Sequence, residues 1–442
     1  MNIRNAQSGT GPLKTTTSEN AELEIRSRSF FAFNTNCCIK AAVETDGAQL
    51  SSGQLLEKIL DNAVGLCYRY EKLWSHTQKG SDIWRLNHAQ GKAVPIDAET
   101  AKILQLSRHY CEETAGLFDV SIAPVAELWN FRKAQVPKPA EIAHALEIAK
   151  TGHPRIMEDH AQLPIAESKV SLGGIAKGYV ADRVSEFLED RNVHDTLINL
   201  GGNIVVKGSA FLAETPQRYW RIGIRSPKHA SRRKAAEERA AAIARSPHGT
   251  DLRALGNHTP PNEEPACILE LNDRSIVTSS IYERCFTDEY GNSHHHIVDP
   301  RTGRPSNSDL ASATVISKQS IDGDGFSTAL LLMGSHWAKK LRRRAPRPRS
   351  RVYHSRWANR GNERDSRSNG LPQAALKVTH SSKCAGYGQA CGSSKFEHSA
   401  IPDVNLRRRV VPCCCPIDPS QRPPSATPEF TSPSAAPMPF CP

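Results

Sequence analysis

SKVSLGGIAKGYVADRV, residues 168–184, decides how the rest of the chain is read. Ser168–Leu172 reads as a strand that breaks at Gly173-Gly174, and the pattern beyond predicts a helix over 175–191. Backbone amides at such a corner can approach a phosphate at the helix N-terminus, with Lys177 as a point charge. An ordinary glycine turn gives the same pattern. A second corner, Ile198–Asn203 (INLGGN), follows a strand expected at 195–200 and by itself reads as a turn. The third segment is IDGDGFSTALLLMG, residues 321–334. Its Asp324, Ser327 and Thr328 stand at i, i+3 and i+4, so a helix puts three oxygens on one face. A carboxylate with hydroxyls and a carbonyl suits Mg²⁺. Helix capping by Asp322 or Asp324 is the competing explanation.

Working outward, a strand is expected over 30–44, helices over 53–73 and 97–115, and a short apolar strand entering a turn over 116–131. Asp97 can cap the second helix, although Thr100 stands where a capping box wants Glu or Gln. A helix is expected over 139–150, strands at 203–207, 219–224, 267–278, 294–299 and 310–317, and a last helix over 322–340. Residues 227–265 read as a charged surface insertion with a solvated helix at 232–245, or else as a basic partner-binding arm. Strands and helices alternate without a repeated βαβ period, and the class is α+β with mixed sheets flanked by helices. His294-His295-His296 precede IVDPRTGRP. Neighbouring strand residues point to opposite faces, so the three make a poor tridentate metal site, and one of them as a catalytic group fits better.

Charge divides the chain at residue 340. Residues 341–442 hold 17 Lys and Arg against 6 Asp and Glu, which equals the net +11 of all 442 residues. The preceding body is neutral, so it is not read as a nucleic-acid binder. Fourteen of the 29 prolines also lie in that tail, and disorder is expected there and over 1–24. The body cysteines match no zinc or disulfide spacing, and the Cys413-Cys414-Cys415 run has no nearby His or CxxC partner. No run of 18 apolar residues and no apolar leader appears, so a cytoplasmic protein without a transmembrane segment is expected.

Taken in order, GLFDVSIAPVAELWNF, SLGGIAKGYVADRV, INLGGNI, HHHIVDPRTGRP and IDGDGFSTALLLMG resemble the ApbE family, the FAD:protein FMN transferases. The resemblance spans roughly 30–340. It implies an ApbE-like fold over 25–340 and an enzyme that splits FAD, releases AMP and attaches FMN to a Ser or Thr of a flavoprotein subunit of an electron-transfer complex. It further implies Mg²⁺ at Gly174, Asp324, Ser327 and Thr328, and flavin contacts at Phe33, Leu117, Phe118, Asp119, Ser171, Lys177 and Val298. His296 then becomes the general base. Three departures stand out. Ser171 replaces the family's usual Asp. Thr77 takes the place of an aromatic platform, which Trp74 could supply instead. Gly323 and Gly325 flank Asp324 where the family prefers alanine, which should make that helix start late or fray. The resemblance stops near Leu341, and a frameshifted or misjoined reading of the gene would explain the tail. The alternative functions are a flavin-binding protein without transferase activity and a basic-tailed adaptor.

Overall fold

The computed structural model describes residues 16–17, 21–45, 51–131, 133–209, 219–227, 265–344, 351–353 and 411–416. Where one strand was expected over 30–44, the chain forms a hairpin. Strands Ala21–Ala32 and Thr35–Thr45 pair antiparallel from Glu22↔Thr45 to Ala32↔Thr35. Phe33 and Asn34 make the turn with φ of 53° and 57°. Two left-handed residues match the twist of the flanking strands, which is why Asn-Gly usually sits there. Phenylalanine is a costly occupant of that conformation. Glu71 pins it by accepting the Phe33 N–H at 2.7 Å.

The hairpin enters an eight-stranded antiparallel sheet. Its order is Thr16–Thr17, Ala21–Ala32, Thr35–Thr45, Asp195–Leu200, Asn203–Lys207, Arg274–Ser280, Leu310–Ser317, Val411–Pro416. A three-stranded sheet of Trp220–Ile224, Cys267–Leu271 and Arg351–Tyr353 packs near it. Side-chain alternation sorts the core into two layers. Leu197, Ile204, Val206, Ile276 and Ile316 meet Trp220, Ile222 and Leu269 of the small sheet. Ile198, Leu200, Val205, Ala313 and Val315 face the helices instead. Leu310–Ser317 is therefore buried along its whole length.

Among the described residues seven helices carry the other layer: α1 Ser51–Trp74, α2 Asp82–Asn87, α3 Ala98–Glu113, α4 Ala123–Leu128, α5 Pro139–Thr151, α6 Ala176–Glu189 and α7 Ser320–Arg344. Among the described residues none is long and apolar enough to cross a membrane. Asp97 caps α3 as expected, accepting the Glu99 N–H at 2.8 Å.

Several expected strands take other forms. Residues 116–131 coil into a 3₁₀ turn, Val120–Ile122, and α4, because Asp119 caps the turn and Pro124 stands at the helix start. Ser168–Leu172 joins no sheet. Asn87 takes a strand partner's place: its side-chain amide donates to the Val170 carbonyl and its oxygen accepts the Val170 N–H, both at 2.9 Å. The run 267–278 turns at Asp273 (φ 48°) into two strands. The run 294–299 splits into Ser293–His295 and Val298–Asp299.

The composition of the two ends suggests no structure. Within the N-terminal stretch, pairing already includes Thr16–Thr17 and begins again at Ala21. In the tail, Arg351–Tyr353 and Val411–Pro416 are strands, the latter containing Cys413–Cys415 paired with Ser312–Thr314. Apart from 341–344, which end α7, the remainder of the tail and most of the 227–265 insertion, including 232–245, lie outside the described residues.

Candidate active site

Gly173 and Gly174 are exposed at the entrance to α6. The Leu172 carbonyl accepts the N–H groups of Ile175 and Ala176 at 3.0 and 2.8 Å and so begins the helix. Ser171 donates its N–H to the Val120 carbonyl at 2.9 Å, which fixes the loop against the turn after Phe118-Asp119. A Cβ on Gly174 would lie 3.2 Å from the Phe118 ring, so the second glycine and Phe118 are neighbours. Leu117 and Phe118 are buried beside them. Asp119 accepts the Ser121 N–H at 2.8 Å and lies 3.8 Å from His153. Burial raises its carboxyl above the ordinary range, with the Ser121 bond and His153 partly offsetting the shift.

The oxygens of α7 approach from the other side. Asp182 of α6 caps α7, accepting the N–H groups of Ser320 and Ile321 at 2.7 and 3.0 Å. Neither Asp322 nor Asp324 serves as the cap. Asp322 accepts the Tyr110 hydroxyl at 2.9 Å. Asp324 accepts the Gly178 N–H at 2.6 Å. Gly178 stands four residues after Gly174, so the amide that would close the first turn on the Gly174 carbonyl is given to Asp324 instead. Burial raises the Asp324 carboxyl, while Lys177, the Gly178 N–H and Asn203 pull it down. Ser327 and Thr328 lie one turn further along, 2.8 and 3.0 Å from the Ser279 hydroxyl.

The expected fraying of α7 does not occur. Gly323 packs on Val277 and Gly325 on the Tyr110 ring, where a Cβ would come within 2.3 and 2.4 Å. These glycines buy close packing for the helix, which begins at Ser320, two residues before the expected start. Its regular course breaks at Gly334 (φ 80°, ψ 175°). There Asp309 accepts the Ser335 N–H at 2.8 Å.

The Asp324 carboxylate, the Ser327 and Thr328 hydroxyls and the Gly174 carbonyl are hard oxygen donors, the type that Mg²⁺ prefers. Burial keeps the Asp324 carboxyl raised despite Lys177, the Gly178 N–H and Asn203, and a divalent cation there would favour its ionised form. Among the described residues no three His, Cys, Asp or Glu side chains converge, so nothing resembles a transition-metal cage.

The three histidines serve three different ends. His294 bonds Asp288 at 2.9 Å and packs between Trp129 and Phe286. His295 is buried, donates from Nε2 to the Ser306 carbonyl at 2.9 Å, and is pushed down to about 4 by that burial. His296 donates from Nδ1 to the Arg284 carbonyl at 3.2 Å. Burial first, then the charges of Arg284 and Lys177, hold it down to about 4. Its imidazole is neutral at pH 7, with Nε2 left as an acceptor.

Lys177 connects these parts. Its ammonium donates to the Gly173 carbonyl at 3.4 Å, and its charge reaches Asp324, His296 and Cys37. Phe33 packs against the main core at the hairpin turn, and Val298 is buried with Val125, Trp129 and Phe286 in a separate cluster. Trp74 does not replace the missing aromatic. It is buried among Tyr70 and Tyr179 and donates its indole N–H to Thr100 at 3.0 Å. Thr77 only meets the Ser75 hydroxyl, at 3.1 Å. Ser279, Asn203 and Asp182 escaped the sequence reading. Asn203 closes the INLGGN motif and Asp182 lies on the buried side of the GGIAKGYVAD helix, but only the fold brings either to α7.

A sequence profile of the ApbE family matches residues 33–349, and the chain belongs to that family. It is 30% identical over 283 residues to the FAD:protein FMN transferase of Klebsiella pneumoniae, covering 63% of this chain and 76% of the relative. The protein of the same name from Treponema pallidum is 27% identical over 334 residues, covering 72% and 82%. Among solved structures, the ApbE protein of Thermotoga maritima superposes with a TM-score of 0.56 at 25% identity, over 72% of this chain and 90% of that one. The flavin transferase ApbE of Vibrio cholerae, 23% identical, shares the fold with a TM-score of 0.55 over 75% and 93%.

Proposed function

We propose that this chain is a Mg²⁺-dependent FAD:protein FMN transferase. It places FMN on a Ser or Thr hydroxyl of a target flavoprotein of an electron-transfer complex and releases AMP. The observation that carries this reading is the Lys177 ammonium at the glycine loop, 3.4 Å from the Gly173 carbonyl, with its charge felt at Asp324 and His296. A pyrophosphate needs its charge held still and neutralised for transfer. The exposed glycine amides at the start of α6 and the Lys177 ammonium supply fixed positive potential for it.

Phe33, Leu117, Phe118, Asp119, Ser171, Lys177 and Val298 are assigned to the flavin nucleotide. The Gly174 carbonyl, Asp324, Ser327 and Thr328 are assigned to Mg²⁺, which when bound acts as a Lewis acid toward pyrophosphate oxygens. Nε2 of His296 takes the proton of the acceptor hydroxyl as that oxygen bonds the FMN phosphorus. The bond from this phosphorus to the bridging oxygen breaks, and AMP leaves with that oxygen. At pH 7 His296 is neutral and so free to accept a proton, and the burial that holds it down to about 4 makes it a weaker base than a free imidazole.

The test is incubation of the full chain with FAD, MgCl₂ and a flavin-carrying subunit as acceptor. Flavin fluorescence on the denatured acceptor, with AMP released in equal amount and both lost in EDTA, is the expected result. FAD binding without covalent fluorescence would leave a flavin-binding protein and refute transfer.

A further inference from the structure

Ser279 lies on strand Arg274–Ser280, within the family match but between the segments quoted for the resemblance. Its hydroxyl is 2.8 Å from that of Ser327 and 3.0 Å from that of Thr328. The three oxygens form a fork with Ser279 at its base. We infer that Ser279 is a positioning residue: it accepts the protons of both Ser327 and Thr328 and so turns their lone pairs toward the cation assigned to this helix face. This rests on the Mg²⁺ reading above.

A serine or threonine hydroxyl has one proton and two acceptor lone pairs. A hydroxyl that faces a cation must point its proton elsewhere. Both helix hydroxyls have the same need, and one acceptor with two lone pairs satisfies both. In a helix, Ser and Thr otherwise tend to bond a backbone carbonyl of the preceding turn, which would choose the orientation without regard to a ligand. Ser279 is also well anchored. Its strand is held in register on both sides, by Ser279↔Ala313 on one edge and Ile276↔Ile204 on the other. The fork therefore has a rigid base, and Ser279 needs no contact with substrate to act.

Three variants of the full chain test this: Ser279→Ala, Ser279→Thr and Asp324→Asn. The primary readout is the rise in melting temperature as MgCl₂ is titrated in, which requires no turnover. Loss of an outer partner to a metal ligand typically weakens metal affinity about 10–100-fold. Ser279→Ala should therefore need at least about 10-fold more MgCl₂ for the half-maximal rise. Ser279→Thr, which keeps the hydroxyl, should stay near the unmodified chain, and Asp324→Asn should show no rise. A Ser279→Ala curve that overlays the unmodified one, while Asp324→Asn loses its rise, would overturn the role of Ser279 and leave the Mg²⁺ reading standing. An unmodified chain that shows no Mg²⁺-dependent rise would overturn both. If Ser279→Ala does not fold, Ser279→Cys replaces it: the thiol keeps the volume but accepts weakly, and a Mg²⁺ curve unchanged from Ser279→Thr would refute the fork.

Discussion

Replacing Gly178 by alanine tests the contact on which the site depends. α6 and α7 touch there so closely that a Cβ would stand 2.7 Å from the Ser320 carbonyl oxygen, 2.8 Å from the Ile321 Cα and 2.9 Å from Asp324 Oδ2. Two of those atoms are backbone, and the third belongs to a buried carboxylate already held by the Gly178 N–H. None can swing away, so the helices must part. Overpacking of this kind costs about 1–3 kcal/mol. Weakening a hydrogen bond to a buried charged group adds about 1.5–3 kcal/mol. The better helix propensity of alanine returns at most about 1 kcal/mol. The expected net loss is about 1.5–5 kcal/mol, read from urea unfolding of the full chain as a lower midpoint at unchanged slope. Gly173→Ala is the comparator, because its nearest neighbour, the Ser171 hydroxyl, would lie 3.6 Å away. It should stay within about 0.5 kcal/mol of the parent. Equal midpoints for the two variants would show that the contact yields freely, and the reasoning from close approach would be wrong.

Other outcomes follow from neighbouring groups. His295, buried and pushed down to about 4, resists a proton that the unfolded chain takes up near 6.5. Its contribution is intact above that range and is lost as pH falls toward 4, about 2 kcal/mol by pH 5; His295→Gln should flatten that slope in urea titrations. His296→Ala should slow transfer about 10²–10⁴-fold with FAD binding kept. The parent's pH–rate profile should show no acid limb near 6.5, and a limb there would contradict the neutral state of His296. Tyr110→Phe removes the donor to Asp322 and should cost about 1–3 kcal/mol by the same unfolding assay.

The helices were legible because their signals are local. Asp97 announced α3, and the apolar spacing of 53–73 announced α1. The strands failed where a local pattern has two outcomes. An apolar run such as 116–131 fits a strand or a coil, and only the cap at Asp119 and Pro124 decide it. The run 30–44 hid a turn because Phe33 is a poor predictor of positive φ, and only the bond to Glu71 and the pairing on both sides hold it there. Gly323 and Gly325 misled for the opposite reason. Helix propensity treats them as a weakness, whereas Val277 and Tyr110, from distant parts of the chain, fill the space their side chains leave.

The site divides along the same line. Asp324, Ser327 and Thr328 share a face through spacing alone, so a sequence can present them. What makes them usable comes from elsewhere: Asp182 starts the helix, Gly178 lets it approach, Ser279 meets both hydroxyls, and Lys177 offsets the buried charge. Three of these four are on α6, directly after the exposed glycine pair. One helix therefore carries the exposed glycine pair at its N-terminus and, within two turns, holds the Asp324-bearing helix in place. A shift of α6 would move the glycine loop, Lys177 and Asp324 together, which is why the Gly178 contact is the most informative place to perturb this protein.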